Sequence, residues 1–461
     1  MAPAKMATAK DATNLDHIPG EYGLPILGKT LELLKDPKKV SDYMYKTYGP
    51  IYRSSAFFQK SVSLIGPEAN EFVLMDRERN FSSKHGWSPF LDKLFPNGLM
   101  LRDFDNHKAH RRIMQVAFKT SAMKTYVSHL NSGILDSLKK WESIDDLHFY
   151  PAIKDLTLNT AASVFFGVPL GPEADKLNKA FMDSVQAAVA VIRYPLPGTK
   201  FRRGIKGREF IVNYLRDQLP QRRGSDAKDM FTVLCNATDE DGNGYTDDDI
   251  IDHMNFLMMA AHDTLTSSFT TLIYHLALNP EWQQTLRREC QNLGLGPQDD
   301  LPYEKLDDLE MIEWAFKEAL RLNPPVPSIP RRTTREVVFK GVTIPANTPI
   351  NISPGFTQKM EEIWTNPENF EPDRFSEQRG EDKKHRFAWI PFGGGAHMCI
   401  GLHFAYMQMK VFMYHLLTKY EFTVEDGYEA EFQIMPIPKP KDGLPISIRP
   451  LGETSPIEET A

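Results

Sequence analysis

Apolar and small residues recur at steps of three and four through Ile250, Met254, Leu257, Ala261, Thr264 and Ser268, which is the spacing of one helical face. The stripe predicts a single long helix, capped at its start by Thr246 with Asp249 three residues on. A second helical pattern covers residues 402–418, directly after a glycine-rich loop. Residues 126–219 read as mostly helical, with interruptions at Gly167-Val168-Pro169 and at Tyr194-Pro195-Leu196-Pro197-Gly198. Short runs at 51–54, 61–65, 337–339 and 342–344 are bounded by turn residues and read as strands. Residues 81–104 spread Trp87, Phe90, Leu94, Phe95 and Leu99 among Gly, Pro, Ser and Lys with no clear period. They read as a long apolar loop, a feature that is often functional. The expected class is mainly α with small β-sheets.

Composition narrows this further. The chain has 461 residues and no Pro/Gly/Ser linker, so one large unit is expected over residues 19–450. A polar extension at 1–18 and a polar tail at 451–461 flank it. With 41% apolar and 25% charged residues it reads as soluble and globular. A net charge of −7 argues against a nucleic-acid partner. Three cysteines (Cys235, Cys290, Cys399) are too few for a disulfide framework, which points to a reducing compartment. Residues 1–18 lack the apolar core of a signal peptide and no run reaches the length of a membrane span. A soluble, cytoplasmic protein is the expectation.

Chemistry concentrates in three places. In Phe392-Gly393-Gly394-Gly395-Ala396-His397-Met398-Cys399-Ile400-Gly401, bare backbone precedes a cysteine at a helix start. A helix N-terminus favours a thiolate, and a thiolate so held can be the axial ligand of a haem iron. The glycines would then admit a flat, wide macrocycle. An ordinary anion-binding turn with a buried cysteine is the alternative. Within the long helix, Asp263 and Thr264 follow Ala260-Ala261-His262. An acid and a hydroxyl beside small residues suit proton transfer next to a flat ligand, or else a threonine bonded to its own helix and a structural ion pair. His107 and Arg111 share a helical face, as an anion site or as a solvated basic face. Asp239, Asp241, Asn243 and Gly244 match the start of a calcium loop, but Ile250 stands where its closing Glu is needed, so an exposed acidic turn is expected.

The pattern Phe-x-x-Gly-x-His-x-Cys-x-Gly, carried by Phe392, Gly395, His397, Cys399 and Gly401, resembles the haem signature of the cytochrome P-450 family. Four further elements agree in order: His107-x-x-x-Arg111, Ala260-Ala261-His262-Asp263-Thr264, Glu318-x-x-Arg321 and Phe370-x-Pro-x-Arg374-Phe375. Together they span nearly the whole chain. The resemblance implies the fold of that family, with haem b between the long central helix and the helix after the cysteine loop. It implies Cys399 as iron ligand, with Phe392 and Gly401 beside it. His107, Arg111, Arg331 and His397 would hold the haem propionates. Asp263 and Thr264 would manage protons, and Glu318, Arg321 and Arg374 would form a buried structural triad. Arg332 is the nearest competitor of Arg331, and Ala261 stands where the family has Gly. Residues 81–104, the loop at 194–198 and residues 433–438 fall where the family lines its substrate cavity.

The implied reaction is monooxygenation of a hydrophobic small molecule, a retinoid, steroid or terpenoid in type. No flavin or iron–sulfur module is seen, so electrons must come from a separate protein of ferredoxin or flavodoxin/reductase type. Lys108, Arg112, Lys383, Lys384 and Arg386 are candidates to receive it. A related peroxygenase or isomerase is one rival, disfavoured by the Asp263-Thr264 pair. A non-enzymatic haem sensor is the other, and coupled oxidation of NADPH or NADH would exclude it.

Overall fold

The computed structural model describes residues 14–452 except 169, 170, 189, 191, 192 and 297. Most of the two expected tails, and Pro169 of the first helix interruption, lie outside the described residues. The N-terminal part alternates short elements: α1 (Thr30–Lys35), α2 (Pro37–Tyr48), β1 (Ile51–Ala56), β2 (Gln59–Leu64), α3 (Pro67–Met75), β3 (Phe81–Ser82) and α4 (Ser83–Leu91). Helices then dominate: α5 (Phe104–Met114), α6 (Thr120–Trp141), α7 (Phe149–Phe166), α8 (Pro172–Ala188), α9 (Lys200–Arg222), α10 (Asp247–Leu278) and α11 (Glu310–Leu322). Strands β4 (Ile329–Thr333) and β5 (Pro349–Ile352) precede a long irregular stretch and α12 (Leu402–Lys419).

Strands β1 and β2 pair as a local antiparallel hairpin but do not stand alone. They join β4 and β5 in one five-stranded sheet of order β1-β2-β5-β4-β3. Its β2–β5 pair is parallel, with Val62 opposite Ile350 and Leu64 opposite Ile352. The runs at 337–339 and 342–344 form a separate hairpin. Leu15 and Ile18 are fully buried in the sheet's apolar cluster, so packing begins before Pro19.

The predicted central helix is α10. Thr246 Oγ accepts from the Asp249 N–H at 3.2 Å, and three aspartates in the first turn meet the positive end of the helix dipole. At 32 residues it spans about 48 Å. It packs on α7, α9 and α11, while α12 packs on α6 and α11. Helices α8 and α9 approach closely because Gly204 and Gly207 lack a Cβ, which would sit 2.2 Å from the Ala187 Cβ and the Ala180 carbonyl oxygen.

Residues 81–104 differ from the expected loop. Ser82 Oγ accepts from the His85 N–H, and the Asp103 carboxylate accepts from the N–H groups of Ser83 and Lys84. These caps start α4 despite Gly86 and Pro89 inside it. Gly86 lies so close to β4 that a Cβ would meet the Arg331 Cα at 2.7 Å. The helix carries no clean period because it is wedged between the sheet and a cavity that Trp87 and Phe90 line. The acidic turn at 239–244 is an exposed turn, its Asp239 carboxylate accepting from Asp241 and Asn243.

Three histidines are fully buried: His253, His262 and His415. His415 Nε2 lies 2.6 Å from Asn131 Oδ1, tying α12 to α6. Burial pushes each of the three down to about 3, with Arg102 acting on His253, Lys154 on His262 and Lys419 on His415. In the unfolded chain they bind protons near the ordinary histidine value of about 6.5. Between about pH 6.5 and 3 the unfolded state therefore holds more protons than the folded state, and stability falls as pH falls. Urea midpoints measured down this range should drop steadily, and His415→Asn, which keeps a donor to Asn131, should flatten the slope.

Candidate functional site

Cys399 lies at the end of an irregular segment that packs back onto α3. Its N–H donates to the Phe392 carbonyl at 2.9 Å, closing the loop. The Phe392 ring packs against Trp389 and Tyr406, whose centroids are 6.0 and 5.7 Å away. The glycines do not serve one purpose. Gly395 has φ +62°, and a Cβ there would sit 1.9 Å from the Leu74 carbonyl oxygen. Gly394 would meet the Phe387 ring at 2.9 Å. Both let the loop touch the protein's own backbone and side chains, whereas Gly393 and Gly401 line the cavity. The expectation that all the glycines make room for a ring is corrected to those two.

The cavity has a volume of about 2160 Å³ and runs from Cys399 past α10 to the surface. A single drug-sized site takes roughly 300–1,000 Å³, so a flat cofactor and a substrate fit together. Cys399 is exposed, and its exposure is to this space, while Cys235 and Cys290 are buried. Burial of the surroundings pushes the Cys399 thiol up, opposed by the Gly401 N–H and by Arg111. The helix start alone does not make a thiolate here.

Four of the sequence-predicted residues meet at one rim of the cavity. The rings of His107 and His397 stand 3.9 Å apart, and Arg111 and Arg331 act on both. Burial and these like charges push His107 down to about 4 and His397 to about 2, so both imidazoles are neutral near pH 7. Burial takes Arg331 to about 10, against the pull of Asp103 and Asp76, and lowers Arg111 as well. Among the described residues neither arginine has a carboxylate within ion-pair distance; Arg331 donates only to the Pro330 carbonyl, at 2.8 Å. A buried guanidinium, Arg331, and a half-buried one, Arg111, without a carboxylate in ion-pair reach call for an anion from outside the chain. A haem, with two carboxylates on one edge, fits that rim, and Cys399 fits its iron.

On α10, Ala260, Ala261, Asp263 and Thr264 all border the cavity. Thr264 Oγ donates to the Ala260 carbonyl at 2.7 Å, and Asp263 lies 3.9 Å from Lys154 and 3.5 Å from His262 Nε2. Both of the plainer arrangements foreseen for this pair are thus present, at the cavity wall. Burial pushes the Asp263 carboxyl up while Lys154 and Lys439 oppose it, and burial lowers Lys154. No periodicity or motif marks Lys154 or Lys439, which distant elements bring to Asp263.

The triad is fully buried. Glu318 Oε1 accepts from Arg321 and from Arg374, both at 2.9 Å, and Glu318 Oε2 accepts from Arg321 Nε at 2.7 Å. A fourth member was not foreseen: Glu381 accepts from Arg374 at 3.0 Å, and Arg379 bonds Glu381, Glu371 and Asp373. Glu381 sits in an irregular stretch where no pattern marks it. The basic residues Lys108, Arg112, Lys383, Lys384 and Arg386 are exposed.

A cysteine opening on a cavity with an anion-seeking rim defines the class, a haem-thiolate oxygenase of mainly helical build. The chain belongs to the cytochrome P-450 family, whose profile matches residues 18–442, and it is a monooxygenase of that family, with haem b as cofactor. Cytochrome P-450 136 of Mycobacterium tuberculosis is 38% identical, with 97% of this chain and 91% of that protein covered. The taxane 10-beta-hydroxylase of Taxus cuspidata is 25% identical, covering 94% and 89%. Among solved structures, retinoic acid-bound cyanobacterial CYP120A1 superposes with a TM-score of 0.85 at 26% identity, over 94% of this chain and 99% of that one. Among the described residues no helix is long and apolar enough to cross a membrane.

Two changes test this packing. Glu318→Ala leaves two buried arginines uncompensated and should cost about 3–5 kcal/mol, read as a lower urea midpoint and loss of haem on purification. Gly395→Ala forces a left-handed alanine against the Leu74 carbonyl and should cost more than the ~1–2 kcal/mol of the backbone conformation alone. Both variants unfolding like the parent would contradict the geometry.

Proposed function

We propose that the protein hydroxylates a long apolar molecule of retinoid, steroid or terpenoid type, using dioxygen and electrons from a separate ferredoxin or flavodoxin/reductase partner. The carrying observation is the sulfur of Cys399, open to the large cavity while Cys235 and Cys290 are buried. Bound haem supplies oxygen activation at its iron. Cys399 ligates that iron, and Phe392 and Gly401 shape the wall beside it. Arg111 and Arg331 neutralise the ring's carboxylates and the neutral imidazoles of His107 and His397 donate hydrogen bonds to them, which offsets the cost of desolvating the two cations.

Asp263 and Thr264 divide the handling of protons. Burial raises the Asp263 carboxyl against the pull of Lys154 beside it, which suits it to exchange a proton with water at the cavity wall. Thr264 spends its hydrogen on the Ala260 carbonyl, so its oxygen is free to accept from a proton-carrying water. Trp87, Phe90, Leu99, Phe256 and Met259 give the cavity an apolar wall that excludes bulk water and favours an apolar guest. The taxane hydroxylase and the retinoic acid complex among its relatives support the isoprenoid class. Glu318, Arg321 and Arg374 hold the loop that carries Cys399, and the exposed cations near the haem edge receive the electron donor.

Titration of the purified protein with a lipid library, followed by the haem absorption band, tests the substrate class. Isoprenoids should shift the iron spin state, and a response restricted to short polar compounds would remove the reading. Cys399→Ser should abolish the thiolate carbon-monoxide spectrum. Thr264→Ala should leave that spectrum intact yet lower product formed per electron pair about tenfold or more.

A further inference from the structure

Arg193 follows α8, on the cavity wall that α4, the end of α8 and the start of α9 form. Its guanidinium is held on three sides. Arg193 Nη1 donates to the Ala188 carbonyl at 2.6 Å and Nη2 to the Phe90 carbonyl at 2.9 Å. The centre of the Phe201 ring lies 5.4 Å from its Cζ. The side chain is half-buried, and among the described residues it has no carboxylate within ion-pair distance. Burial lowers Arg193 from its usual range, and Asp92 opposes this only from farther away.

Tying two carbonyls together does not require a charge. A glutamine amide could donate in the same place at a lower desolvation cost. A guanidinium has five N–H donors, so these two bonds leave three. It also sets a cation beside Trp87 and Phe90, and that desolvation is offset only by an anion. No carboxylate of α4, α8 or α9 borders the cavity. The other charged residue on this wall is Lys200, exposed at the start of α9. Haem does not supply the missing anion, because the rim that suits its carboxylates is built from α5, β4 and the cysteine loop.

We propose that Arg193 binds a carboxylate of the substrate, which makes the apolar guest an acid; the proposal rests on the isoprenoid reading of that guest and narrows it. The planar fork of a guanidinium takes both oxygens of one carboxylate. Ala188, Phe90 and Phe201 already fix it, so little side-chain freedom is lost on binding. Lys200 adds a positive field at the same wall, which favours entry of an anion. An alcohol or ester of the same skeleton forfeits the charged bond and leaves the guanidinium desolvated.

The test is titration of the haem-loaded protein, followed by the haem absorption band, with matched ligands: retinoic acid, retinol and methyl retinoate, then abietic acid and abietinol. In at least one set the acid should bind about tenfold or more tightly than its neutral partners. Arg193→Gln, which keeps a donor for one carbonyl, should cut that acid-to-neutral ratio about tenfold or more. Arg193→Lys, which keeps the charge, should restore part of it. A role confined to clasping α4 to α8 would weaken acids and neutral ligands alike and leave the ratio where it was; that result overturns the proposal. So does a parent that binds the neutral members as tightly as the acids, in which case the isoprenoid reading stands and only the carboxylate falls. A parent that answers to no member of either set removes both readings.

Discussion

The cysteine loop is held in place chiefly by two buried arginines. Residues 358–399 contain only short turns of helix and none of the named strands, so their carbonyl groups lack the partners that helices and sheets supply. Buried carbonyls must be satisfied somehow. Arg321 donates to the carbonyls of Gln358, Pro367 and Asn369, and Arg374 to those of Thr365 and Asn366. Glu318 fixes both guanidiniums, and Gln358 ties the same stretch to the carbonyls of Leu320 and Arg321 and to the Ile390 N–H. The irregular segment thus hangs from the end of α11. The position of Cys399 follows from that attachment more than from any local preference of its loop.

The opposite problem exists at the cavity. There the chain leaves polar groups unmatched: two arginines and two neutral histidines converge without a protein anion. A domain this size tolerates one such rim because a ligand completes it. Whatever binds the folded chain and not the unfolded one adds its binding free energy to stability. The cofactor is therefore part of the folding balance, and the two charge systems differ in kind. The Glu318 network is complete within the chain, while the rim around His107 is completed from outside.

How legible was this in the sequence? The long helix, its Thr246 cap and the helix after Cys399 followed from periodicity and capping, because each has one apolar face or one clear start. The triad followed from resemblance, since an acid and a base three apart have no meaning alone. Glu381, Lys154 and Lys439 were invisible because tertiary structure, not spacing, brings them to their partners. Helix α4 was hidden by Gly86 and Pro89, which signal a loop in isolation; here Gly86 permits contact with β4 and Asp103 supplies the cap from twenty residues away. The glycines before Cys399 were seen for what they are but explained by the wrong neighbour. A sequence shows that a Cβ is missing and not what stands in its place.

The middle of α10 shows how a helix can be both core and reaction wall. Thr264, Thr266, Ser268 and Thr270 each donate to the carbonyl four residues before, at 2.7–3.0 Å. Each hydroxyl competes with a backbone N–H for that carbonyl, which loosens helical bonding locally. Ser267 instead reaches the Pro438 carbonyl at 2.6 Å and ties the helix to the turn that enters the cavity. A leucine-rich stretch would pack more firmly in the same place. It would offer no hydroxyl at the cavity wall, and no room beside Ala260 and Ala261. The polar interruption of an otherwise apolar helix is thus a stability sacrifice confined to about two turns. The buried flanks from Ile250 to Leu257 and from Leu272 to Leu276 carry the packing that those turns give up.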